Sequence, residues 1–171
     1  MIRLSKITDY GILILAHMAS ARAREQGNAS ESLHTARELA EQVNLPLPVV
    51  SKILKSLARE GTLESQRGAK GGYSLRTDPG QITVAQMIEV LEGPVAMTEC
   101  AVAAGICLHE GSCSVRDPWQ LINRVIKDAL GEITLADLAE GGAMNPRPLD
   151  RLIAFSQNAS RDKEAGDLRD V

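Results

Sequence analysis

Thr35-Ala-Arg-Glu-Leu-Ala-Glu-Gln-Val-Asn-Leu-Pro46, continuing as Leu47-Pro-Val-Val-Ser-Lys-Ile-Leu-Lys-Ser-Leu-Ala-Arg-Glu-Gly61, decides the fold. Thr35 with Glu38 three residues on spells a capping box, which starts a short helix carrying Leu39, Ala40 and Val43. Asn44-Leu-Pro46 breaks it. A second helix then runs from about Leu47 to Glu60, with Val50, Ile53, Leu54 and Leu57 on one face and Gly61 to stop it. A capped helix, a short break and a second helix with a continuous apolar stripe is the helix-turn-helix arrangement. Working outward, Thr62–Ser65 alternates like a strand, Gln66–Gly72 is a basic, glycine-rich tip, and Tyr73–Leu75 reads as the return strand, so the pair forms a wing. Asp78-Pro-Gly80 closes the unit as a turn. Thr83 then caps a helix that ends at Gly93-Pro94.

Charge separates a DNA-reading wing from an ordinary surface hairpin. Residues 47–76 hold six cations (Lys52, Lys55, Arg59, Arg67, Lys70, Arg76) against Glu60 and Glu64, a net of +4. The whole 171-residue chain carries −3, so the remainder carries −7. A basic patch on an otherwise acidic chain is the electrostatic footprint of a duplex binder. Composition agrees: 44% of residues are hydrophobic but only 2% aromatic, so the core is aliphatic. Four scattered aromatics (Tyr10, Tyr73, Trp119, Phe155) cannot build the stacking platform of a single-strand binder.

Before this unit, Ile7, Tyr10, Ile14, His17 and Met18 recur at helical spacing after Ser5, a plausible N-cap. The basic start (Arg3, Lys6), the apolar run 11–16 and Ala19-Ser-Ala21 loosely imitate an export leader, but Asp9 and His17 interrupt it. The run is far shorter than the ~18 apolar residues needed to span a bilayer. The expectation is a cytoplasmic protein with no membrane association. Residues 22–32, with Gly27-Asn28, read as a loop.

Three cysteines, Cys100, Cys107 and Cys113, share one glycine-rich stretch. An odd number excludes a closed disulfide framework. Their spacing lacks the C-x-x-C hooks of zinc ribbons, and Ser, Gly, Glu and His rather than an apolar period surround them. Such a loop can wrap its thiolates around one iron–sulfur cluster, with the missing ligand from a nitrogen or oxygen donor. Three unligated small hydrophobes are the bland alternative. Pro118 opens a further helix with Trp119, Ile122, Val125, Ile126, Ala129 and Leu130 on one stripe, which calls for a partner, most simply a second copy. From Gly141 the chain is polar apart from Leu149–Phe155, and disorder is expected from Ser160 to Val171.

The opening Met1–Gly11, the wing Arg67-Gly-Ala-Lys-Gly-Gly-Tyr73 and the three-cysteine segment before Trp119 together resemble the Rrf-two family of winged-helix iron–sulfur regulators. Its members include repressors of the isc and suf cluster-assembly operons and a nitric-oxide-sensing repressor. The stretch Cys113-Ser-Val-Arg-Asp-Pro-Trp119 looks most like the suf-operon branch. The resemblance implies a homodimer built on the long helix, with the cysteine loop near the partner's first helix. It also implies a [2Fe–2S] cluster, or [4Fe–4S] as in some members. The isc-type histidine three residues after the last cysteine is Arg116 here, and arginine stays protonated. In other members a carboxylate of the partner's first helix completes the set, and Asp9 occupies that position, ahead of His109.

The expected architecture is therefore mainly α with a small β wing. It comprises a winged helix-turn-helix domain (1–93), a cluster loop (94–117), a dimerisation helix region (118–140) and a flexible tail (141–171). Pro48, Val49, Ser51 and Lys52 would enter the major groove of operator DNA, with Lys55 nearer the phosphates. Arg67 and Lys70 would belong to the wing, where Gly68, Gly71 and Gly72 would let the backbone approach the duplex. No catalytic base, nucleophile pair or phosphate-cradling loop appears, so neither an enzyme nor a small-molecule substrate is expected. A cluster-carrying redox protein and a zinc-dependent repressor are the alternatives on the same fold.

Overall fold

A computed structural model describes residues 3–24, 33–68 and 71–140. The tail (141–171), the Gly27-Asn28 turn and the wing-tip Lys70 lie outside the described residues. The elements are α1 (Lys6–Arg24), α2 (Ala36–Gln42), α3 (Leu47–Arg59), β1 (Leu63–Gln66), β2 (Gly72–Leu75), α4 (Val84–Glu92), α5 (Glu99–Val102), α6 (Arg116–Glu132) and α7 (Leu135–Ala139).

The expected helix-turn-helix forms for the reasons its sequence states. The Thr35 hydroxyl accepts from Glu38 N at 3.2 Å, and the Glu38 carboxylate accepts from Thr35 N at 2.8 Å, closing the capping box. Asn44 takes φ +52°, a left-handed turn tolerated by a short polar side chain, and Pro46 then leads α3 away. Val50, Ile53, Leu54 and Leu57 are fully buried and face Ile14, Leu15 and Met18 of α1 and Leu39 of α2. At roughly 1.5–3 kcal/mol per fully buried aliphatic side chain, this shared face holds the DNA-binding unit together. The apolar run that imitated a leader is thus the central core helix, and no described helix is long and apolar enough to cross a membrane.

The wing is a two-stranded antiparallel sheet with Leu63 opposite Leu75 and Gln66 opposite Gly72. It is anchored further: His34 and Tyr73 exchange backbone hydrogen bonds at 2.9 and 2.8 Å. Helix α4 carries a second capping box, Thr83 with Gln86, and ends at Gly93 with φ +100°. It meets α1 where Gly11 lies against Leu91, so closely that an added Cβ would sit 2.5 Å from Leu91 Cδ1.

Three boundaries differ from expectation. The first helix continues to Arg24, because Arg22 and Arg24 find acceptors in Thr77 and Ser20 carbonyls rather than starting a loop. The long helix begins at Arg116, two residues ahead of Pro118, since Pro is compatible with a first turn. It also stops at Glu132. The chain then bridges back, with Val84 N donating to Ile133 O and Leu135 N to Ile82 O, and buries Leu135 in the winged-helix core.

Candidate DNA-binding surface and cysteine loop

On α3, Pro48, Lys52 and Lys55 are exposed and Ser51 is partly exposed, on the side opposite the buried stripe. Val49 is half-buried and packs on the core, which leaves it the least available of the expected reading positions. Arg67 is exposed at the foot of the wing tip. A cleft runs between the start of α2 (Thr35, Ala36), Lys55 and the wing residues Gln66, Arg67 and Tyr73. Lys55 and Arg67 therefore border one concave surface, although 12 residues of sequence separate them.

The wing glycines also differ in what the protein's own packing asks of them. A Cβ on Gly72 would lie 2.7 Å from the His34 carbonyl oxygen, and one on Gly71 would collide with that of Gln66. Both are required by the protein's own packing. At Gly68, with φ +114°, an added Cβ would meet nothing within 4 Å among the described residues.

Cys100, Cys107 and Cys113 are all free thiols, half-buried and outside the core. Cys100 opens towards the Thr98 hydroxyl at 3.3 Å. Asp9 stands exposed on the first turn of α1, one turn before the exposed Leu13. Among the described residues, no three His, Cys, Asp or Glu side chains converge closely enough to hold a metal ion. One chain alone therefore does not bring Asp9, His109 and the cysteines together. The donors themselves, three thiols on one turn-rich segment, have the softness that iron–sulfur chemistry demands.

The segment is ordered by contacts that sequence reading missed. Glu110 Oε2 accepts from Gly105 N at 2.5 Å, while its Oε1 pairs with Arg116 Nη2 at 2.7 Å. At the other edge, Glu92 accepts from Ser5 N, while Ser5 Oγ caps Thr8 N at 3.2 Å. Hydrogen bonds donated by Ser5, from its hydroxyl first and then from its backbone N–H, hold the Glu92 carboxyl below the ordinary glutamate range. A contact across 87 residues leaves no local pattern in the sequence.

Helix α6 follows at once. Trp119, Ile122 and Val125 are 37%, 44% and 47% exposed, an apolar face without a partner in the single chain. The lower stripe behaves differently, since Leu130 packs on the core. The opposite side is stitched to the domain by Lys127–Glu89 at 2.6 Å and by Asn123 Oδ1, which accepts from Met97 N at 2.9 Å.

Residues 4–141 match the family model Rrf2, described as an iron-dependent transcriptional regulator. The chain belongs to the Rrf2 family. It is accordingly a transcriptional regulator and not an enzyme. The HTH-type transcriptional regulator CymR of Bacillus subtilis is 32% identical over 130 residues, 76% of this chain and 84% of CymR. The HTH-type transcriptional repressor NsrR of Streptomyces coelicolor is 31% identical over 137 residues, 80% of this chain and 87% of NsrR. The solved structure of CymR, the global cysteine regulator of B. subtilis, superposes with a TM-score of 0.62 at 28% identity, covering 83% of this chain and 99% of that one. In this Rrf2 member the winged-helix reading and the mainly α architecture with a small wing both stand.

Proposed function

We propose that this Rrf2 protein is a homodimeric DNA-binding regulator whose Cys100, Cys107 and Cys113 hold an iron–sulfur cluster, [2Fe–2S] rather than [4Fe–4S]. Its targets would be suf-type cluster-assembly genes. The observation that carries the reading is the adjacency of two features: three free, half-buried thiols on one segment, and the unpartnered apolar face of α6 immediately after it. The exposed face supports a two-fold pairing of α6 helices. The exposed Asp9 supports a fourth ligand from the partner subunit, because the described residues of one chain assemble no such group. On the DNA side, Ser51 and Lys52 would read base edges, Lys55 would hold phosphate, and Arg67 with Lys70 would follow the backbone or minor groove.

A bound cluster would supply a centre that oxidants, nitric oxide or iron shortage can destroy. The chain's own part is to convert order in the cysteine loop into order at the subunit junction. The loop ends where α6 begins, and α6 is fixed to α4 through Lys127–Glu89. The distance and angle between two recognition helices follow from that junction.

The test is anaerobic purification followed by visible absorption and iron and sulfide analysis. We expect a chromophore that Cys107→Ala abolishes while helical circular dichroism persists. A colourless zinc protein would favour the zinc-dependent repressor, and a coloured protein without operator affinity the redox carrier. Operator affinity of holo and apo forms is then compared at fixed salt. A coupling of about 1–3 kcal/mol predicts a difference of about 5- to 150-fold. Equal affinities would overturn the sensor.

A further inference from the structure

Glu110 is the most enclosed carboxylate of the cysteine segment, its side chain only 14% exposed. Its two oxygens serve different masters. One takes the backbone N–H of Gly105, two residues before Cys107; the other takes the guanidinium of Arg116, three residues after Cys113. A single side chain thus ties together the two ends of a span that contains two of the three thiols. Gly105 adopts φ +83°, a conformation that favours glycine and points its N–H at the carboxylate. Further turns close inside the clasp: Glu110 N donates to Cys107 O at 3.1 Å, and Arg116 N to Cys113 O at 3.3 Å. Arg116 Nε is buried and has no hydrogen-bond acceptor, so its charge is answered by Glu110 alone among the described residues.

We propose that Glu110 and Arg116 are positioning residues that close residues 105–116 into a preformed loop, and so govern how Cys107 and Cys113 are presented before any cluster is bound. This deepens the cluster reading but is tested apart from it. With both oxygens engaged, Glu110 is not a spare ligand for the cluster. Arg116, which cannot ligate, instead stabilises the loop that carries the ligands. An arginine–carboxylate pair with a charge-assisted backbone bond is stronger than a neutral contact and survives partial exposure.

Cys100 lies outside the clasp and provides an internal control. The experiment uses the full-length, cluster-free protein under reducing conditions, pulsed with an alkylating reagent and read site by site by mass spectrometry. Glu110→Ala removes both bonds, whereas Glu110→Gln keeps an acceptor for Gly105 and loses the ion pair. Alkylation of Cys107 and Cys113 should accelerate about three- to fivefold in Glu110→Ala and less in Glu110→Gln, the scale expected for a partly exposed ion pair. Cys100 should hold its wild-type rate. Arg116→Ala should reproduce the Glu110→Gln effect at the same two thiols. Wild-type rates at Cys107 and Cys113 in Glu110→Ala would overturn the proposal, and so would equal acceleration of all three thiols. A wild-type protein that never gains a chromophore would defeat the cluster reading while leaving these rates to decide the clasp.

Discussion

Lys55 shows how a single side chain can be assigned a role by position and chemistry. It projects from α3 beside the wing cleft, exposed, with no carboxylate pair on its own helix face. A point charge at such a place neutralises phosphate without reading sequence. Lys55→Ala should therefore weaken binding to specific and random duplexes alike and lower the salt slope by about one, measured by titration at several ionic strengths. A change in specificity at constant salt slope would refute the role. At this scale the sequence was informative where a residue type has one use, as with Thr35, Asn44 or Gly61. It did not reveal that Gly71 and Gly72 are also required beside the carbonyls of Gln66 and His34, contacts that only the folded hairpin creates.

Among elements, the capping boxes set the helix starts, and α2, with only 7 residues, depends heavily on its box. Thr35→Ala should cost about 0.5–2 kcal/mol of stability, measured by urea unfolding. The backbone N–H of Thr35, and then its hydroxyl, hold the Glu38 carboxyl below the ordinary glutamate range. Glu38's contribution is thus fully present above its unfolded pKa and is lost as pH falls through the lower folded value. The stability gap between wild type and Glu38→Ala should accordingly narrow on acidification below about pH 4.5. A pH-independent gap would mean that the reciprocal bond contributes little. Elements with local signals were legible: the helix-turn-helix, the wing and α4 lie within one or two residues of their expected limits. Helix α7 went unread although Thr134 with Asp137 three residues on spells a capping box; its return to the core rests on the Thr83–Thr134 bridge and on hydrogen bonds from Val84 N to Ile133 O and from Leu135 N to Ile82 O, pairings between distant segments.

At the level of the whole molecule, α6 presents an exposed apolar face, and pairing with a second copy is the simplest way to cover it. Ile122→Asp should convert the protein to a monomer by light scattering while preserving its circular dichroism, since Ile122 is exposed and is not part of the buried core cluster. A dimer that survives would move the interface elsewhere. The same attachment that leaves this face free has a mechanical result. Helix α6 is pinned along its length by Asn123 and Lys127, and at its end by the return of Ile133 and Leu135. It is therefore no hinge. Its 17 residues form a lever about 25 Å long that is rigid with the DNA-reading head. In the proposed dimer, a change of only about 10° where two such levers cross would sweep the far end through about 4 Å, an appreciable fraction of the ~12 Å width of the major groove. In that proposed dimer a small disturbance beside the cysteines would reach the duplex through the lever, and no part of the head would have to change shape for the protein to let go.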